Sequence, residues 1–97
     1  MGDMTKVRWN GEKERKLQDE VSRNGITFAD CTVAIADGRV LDVLPHPTRP
    51  HQHIVVLNIE DYAYAVPFVI DEDGSWFLKT VFPSRKYTAL YLDKKTP

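Results

Sequence analysis

The chain of 97 residues is short of several things. It has one cysteine, Cys31, which closes no internal disulfide; a disulfide-stapled fold is excluded and a reducing compartment is the simple expectation. It has no long hydrophobic run: the longest apolar stretches, 54–57 and 63–70, are strand-sized, far below the roughly 20 residues of a membrane-spanning helix. Residues 1–6 carry no apolar signal region, so a soluble, cytoplasmic protein is expected, with no membrane partner. With five glycines it builds no phosphate-cradling glycine loop, and it holds neither a nucleophile elbow nor a CxxC pair. Enzyme classes announced by such short motifs are set aside.

Charge of one sign is missing as well. The net charge is −1, unlike a uniformly basic binder that gains affinity by neutralising phosphates. The distribution is uneven. Residues 1–25 balance at +1, residues 26–74 at −6, and residues 75–97 at +4, the last through Lys79, Arg85, Lys86, Lys94 and Lys95 against Asp93. A hydrophobic content of 42% with 28% charged residues is globular. The length suits a single domain, 1–97, with one modest core.

Alternation over 6–9 reads as a short strand, and Asn10 as the N-cap of a charged helix over 12–23, with Leu17 and Val21 one turn apart and Asn24-Gly25 as its stop. Thr27 with Asp30 approximates a capping box for a second helix, whose Phe28, Cys31, Ala34 and Ile35 recur at helical spacing. Val40, Leu41, Val43 and Leu44 form a strand-length run, and three prolines in 45–50 make a loop. The rest reads as an antiparallel meander: a strand over 54–59, a turn at Glu60-Asp61, and a strand over 62–70. Pro67 points to a bulge or a sheet edge there. A hairpin at 71–74 leads to a strand over 75–82, and Ser84 caps a last short helix with Tyr87, Leu90 and Tyr91 on its buried side. The fold class expected is α+β, two N-terminal helices packed on one face of a mostly antiparallel sheet, with a short C-terminal helix.

His46, His51 and His53 fall within eight residues but have no cysteine partner, and Asp71-Glu72-Asp73-Gly74 lacks the rest of a calcium loop. No metal and no cofactor is expected. His46 and His51, on a loop beside a sheet, are candidates for moving a proton. In Ser84-Arg85-Lys86-Tyr87-Thr88, Arg85 suits a phosphate bidentately and Lys86 adds a point charge, while Tyr87 or Tyr91 offers a ring for a base or a proton carrier. The same stretch also reads as an ordinary helix start with solvated cations.

Three stretches carry a family resemblance: Trp9-Asn10-Gly11-Glu12-Lys13, Asn24-Gly25-Ile26-Thr27-Phe28-Ala29-Asp30, and Ser84-Arg85-Lys86-Tyr87-Thr88. With the element order over about 7–92, they resemble the BrnT toxins of type II toxin–antitoxin systems. Asn10-Gly11 stands where that family shows Asp-Pro, and Asn24 where it shows a histidine. The resemblance implies a RelE-like fold, a cognate antitoxin partner, and metal-independent cleavage of RNA by attack of its 2′-OH. It implies Arg85 as the group stabilising charge on the phosphoryl oxygens. Lys86 stands beside it, Lys79 and Tyr91 join in RNA binding, and His51 and His46 rank above Tyr87 for acid–base work. The alternative is a non-enzymatic protein-interaction module that keeps the fold and uses its acidic middle third or a free strand edge.

Overall fold

The computed structural model describes residues 6–18 and 25–92. Its elements run β1 (Val7–Trp9), α1 (Gly11–Gln18), α2 (Phe28–Ala36), β2 (Val40–Pro45), β3 (His53–Ile59), β4 (Tyr62–Ile70), β5 (Trp76–Leu78), β6 (Phe82–Pro83) and α3 (Arg85–Tyr91). The strands form one mixed sheet in the order β1-β5-β4-β3-β2, with β6 also paired to β4. Among the described residues, only the β1–β5 pair is parallel. The continuation of the first helix to Arg23, with Val21, and the tail cations Lys94 and Lys95 lie outside the described residues.

Local chemistry accounts for the elements. Asn10 Oδ1 accepts the backbone N–H groups of Glu12 and Lys13 at 2.9 and 3.1 Å, opening α1. Thr27 and Asp30 close a reciprocal capping box on α2. Ile54, Val55, Val56 and Leu57 are all buried, as β-branched and apolar residues of a strand covered on both sides must be. Glu60 and Asp61 join β3 to β4 as a two-residue hairpin, both at positive φ (55° and 65°). That turn normally draws asparagine or glycine, because a Cβ there is crowded.

The expected fold class is corrected at the helices. They are not two N-terminal helices on one face, and the RelE-like arrangement falls with that expectation. α2 covers one face of the sheet, where Phe28, Cys31 and Ala34 meet Val55, Leu57, Tyr64, Val66, Phe68 and Leu78. The C-terminal helix α3 covers the other, where Tyr87 and Tyr91 pack over Ile54, Val56, Ala63 and Ala65. α1 is held by polar bonds: Glu14 accepts the N–H groups of Phe28 and Ala29 at 2.8 and 3.2 Å, and Lys13 Nζ donates to the carbonyl of Lys79 at 2.8 Å. Among its described side chains, residues 11–16, none is a large apolar group. On α3, Leu90 is 64% exposed, not on the buried side.

Two further expectations change. The strand read over 75–82 is broken at 79–81 into β5 and β6, and β4, read as bulged or at a sheet edge at Pro67, is the central strand. The two corrections explain each other. The Pro67 carbonyl accepts the N–H of Lys79 at 2.8 Å, so the Pro67 nitrogen, on the same side of the strand, faces the gap where β5 hands over to β6. The return bond that a hydrogen there would give the Lys79 carbonyl is absent, and Lys13 Nζ donates to that carbonyl at 2.8 Å in its place.

Candidate functional site

On the α3 face the helix leaves part of the sheet open. Ile54 of β3 and Pro67 of β4 floor a groove of about 520 Å³. From the strand order, its two walls come from opposite sides. One is the β2–β3 loop, with His46, Pro47, Arg49 and Gln52; the other is the β5–β6 connection, with Lys79, Thr80 and Phe82. Lys13 of α1 completes it. Three cations line the groove and, among the described residues, no carboxylate does. A concave, apolar-floored site with one sign of charge concentrates anions.

The loop wall is built rather than slack. Its ends are joined by His46 N–H to the Gln52 carbonyl (3.1 Å), and within it Gln52 N–H reaches the Arg49 carbonyl (3.0 Å). His46 Nδ1 accepts the backbone N–H groups of Thr48 and Arg49 at 3.2 and 3.1 Å. A ring nitrogen that accepts two N–H bonds carries no hydrogen, which places the hydrogen of the neutral ring on Nε2. His46 therefore presents a donor whose tautomer the turn selects. On the other wall, Lys79 Nζ stands 5.5 Å from the centroid of the Phe77 ring.

The sequence-derived candidates divide. His46 and Lys79 line the groove together; Lys13 and Arg49, which sequence reading passed over, join them. His51 is exposed near the β3 end of the loop, outside the lining. His53 lies on the opposite face, its ring stacked on Phe68 with centroids 5.6 Å apart. The three histidines thus enter three surroundings. Arg85 and Lys86 are exposed on α3 and do not line the groove, although Phe82, three residues before Arg85, does. Lys86 Nζ sits 5.7 Å from the Tyr87 ring centroid. Tyr87 and Tyr91 are half-buried against the sheet, and the Tyr91 hydroxyl donates to Asp42 Oδ2 at 2.6 Å. That bond, with desolvation and the Asp42 charge adding, pushes the Tyr91 phenol above the usual tyrosine value. Both rings are occupied in docking α3.

A smaller cavity of about 240 Å³ lies between α2 and the β3–β4 hairpin, lined among others by Asp30, Asp37, Arg39, Asn58 and Glu60. Asp30 is engaged in the cap of α2, and Asp37 stands 3.9 Å from Arg39. Cys31 is fully buried, and burial, with the charges of Asp30 and Glu14 adding, pushes its thiol up to about 12. It is a small apolar core residue, not a nucleophile.

No protein-family model, no curated protein and no solved structure matches the chain. The resemblance to the BrnT toxins rests on its three sequence stretches alone. Among the described residues, no helix is long and apolar enough to cross a membrane.

Proposed function

We propose that the groove on the α3 face binds single-stranded RNA, and that the chain is a metal-independent endoribonuclease, the toxin of a type II toxin–antitoxin pair. The observation that carries the RNA reading is the lining of Lys13, Arg49 and Lys79 without a carboxylate. These cations come from three separate elements around an apolar floor, and phosphate neutralisation is what such a set does best. In cleavage, the 2′-oxygen bonds to phosphorus and the bond to the 5′-oxygen breaks. The 2′ proton leaves, the 5′-oxygen gains one, and a 2′,3′-cyclic phosphate and a 5′-hydroxyl result. Arg49 and Lys79 stabilise the charge growing on the phosphoryl oxygens. His46 donates through Nε2 to one of them, and His51, exposed near the β3 end of the same loop, is the remaining imidazole offered as the proton carrier. The cognate antitoxin and the cytoplasmic setting are carried over from the resemblance.

A second reading, RNA binding without cleavage, is favoured by one observation. The only histidine in the lining is held by two backbone N–H groups in a single tautomer, which suits a fixed donor better than a proton shuttle.

One experiment separates the two. A 5′-labelled single-stranded RNA is incubated with the protein in EDTA and, in parallel, titrated for binding across a salt series. Three phosphate contacts predict a slope of log affinity against log salt of about −2, reduced by about 0.7 in Arg49→Gln and in Lys79→Gln. Cyclic-phosphate fragments that survive Arg85→Ala but not the groove variants support cleavage in the groove. Fragments lost only with Arg85→Ala move the site to the start of α3. Binding without fragments leaves the second reading, and a salt-independent or absent interaction ends both.

A further inference from the structure

We propose that Phe82, together with Phe77, forms a base-stacking platform that makes the groove selective for single strands over duplexes. The inference rests on the RNA-binding reading and adds to it the part of the ligand that is recognised besides phosphate.

Phe82 is an apolar side chain left 41% exposed in a sheet whose other large rings are mostly covered. It stands on β6, opposite Ala65 of β4, a partner too small to cover it. Phe77 of β5 pairs with Val69. Pro67, Val69 and Ala65 alternate along β4 onto the groove's side of the sheet, so both rings belong to that side. Lys79 lies between them in the chain, its ammonium against the Phe77 ring. Lys79 and Phe82 line the groove itself, and Phe77 continues the same side of the sheet just beyond it. Across the floor stand Pro47 and Arg49, separated by the two strands β3 and β4, a span of about 10–15 Å at ~4.8 Å per strand spacing. Aromatic faces beside a line of cations hold the bases and the backbone of an unpaired strand. A duplex buries the faces of its bases in its own stack and presents only phosphates and edges.

The test compares three ligands at one salt concentration: a single-stranded oligoribonucleotide, the same sequence as a duplex, and inorganic polyphosphate, which has charge and no base. The wild type is expected to prefer the single strand to the duplex by at least about tenfold. Phe82→Ala should weaken single-strand binding roughly 5- to 150-fold, as loss of one stacked base does, and shift polyphosphate binding less than about twofold. Phe82→Trp should retain single-strand binding. Phe82→Leu, which keeps apolar bulk without a π face, should behave as Phe82→Ala and covers the case in which that variant does not fold. Equal single-strand binding by the wild type and Phe82→Leu would overturn the inference while leaving the RNA reading standing. Parallel loss of polyphosphate binding would overturn it too, by showing that the ring only shapes the groove. A wild type that binds neither RNA nor polyphosphate would overturn both.

Discussion

The two faces of one sheet are finished differently. On the α2 face, Phe28, Cys31 and Ala34 meet a continuous layer of β-strand side chains, and the rings of Trp76, Phe68 and His53 stack in series beside it. On the α3 face Val56, Ala63 and Ala65 are closed off beneath the seven-residue helix, while Ile54 and Pro67 lie at the floor of the cationic groove beside it. The difference starts in β4. Its large residues Tyr64, Val66 and Phe68 all point to the α2 side, while Ala63, Ala65 and Pro67 face the other. Small residues let α3 approach closely but supply little apolar area, so polar bonds anchor it. Ser84 N–H donates to the Ala63 carbonyl at 2.9 Å, and the Ala63 N–H donates to Thr88 Oγ1 at 2.9 Å. One face holds the main core together; the other leaves a groove open beside its helix.

The sharpest way to break this contrast is Phe28→Ala. The side chain is fully buried on the α2 face, and its truncation should cost about 3–5 kcal/mol in urea unfolding, a large share of a small domain's stability. A cost below about 1 kcal/mol would show that α2 does not close the main core. On the other face, Thr88→Val keeps the shape and removes the acceptor of the Ala63 N–H. The expected loss is about 1–3 kcal/mol, recovered in Thr88→Ser; an unchanged unfolding midpoint in Thr88→Val would mean that the tyrosines alone dock α3. The smallest effect belongs to Tyr91→Phe, and pH reveals it. The phenol is raised in the folded state, so its contribution is fully present below the ordinary tyrosine value of about 10 and fades as pH rises through the folded value. The stability difference between wild type and Tyr91→Phe should shrink above pH 10. A difference that stays constant to pH 11 would remove the Asp42 bond from the account.

Much of the local structure was readable beforehand because its causes are local. Thr27 and Asp30 announce a helix start, Asn10 and Ser84 cap their own neighbours, and β-branched residues at 54–57 announce a buried strand. The side of the sheet on which a helix lies has no such local cause. It depends on which face of β4 is left bare, and that is decided only once the strands have paired. The groove was harder still. Its lining comes from residue 13, from 46–54, from 67 and from 79–82, which no spacing along the chain brings together. Lys79 stands out in the sequence as part of a basic C-terminal stretch, but Lys13 and Arg49 are ordinary where they stand: one in a charged helix, the other among prolines. The signal available was Pro67. A proline in so apolar a strand has either an edge or an interrupted neighbour, and the second possibility leads to 79–81 and thence to the groove wall.

Pro67 also bears on how the site can change over evolutionary time. Inserting or deleting residues beside a central strand normally strands a donor that must then be matched again. At the handover between β5 and β6 the central strand offers a carbonyl, already taken by Lys79, and no hydrogen. Thr80, half-buried on the groove wall, is therefore the place where this domain can rewrite that wall, while Val81 stays buried in the core and the pairing of β3 with β4 stays as it is.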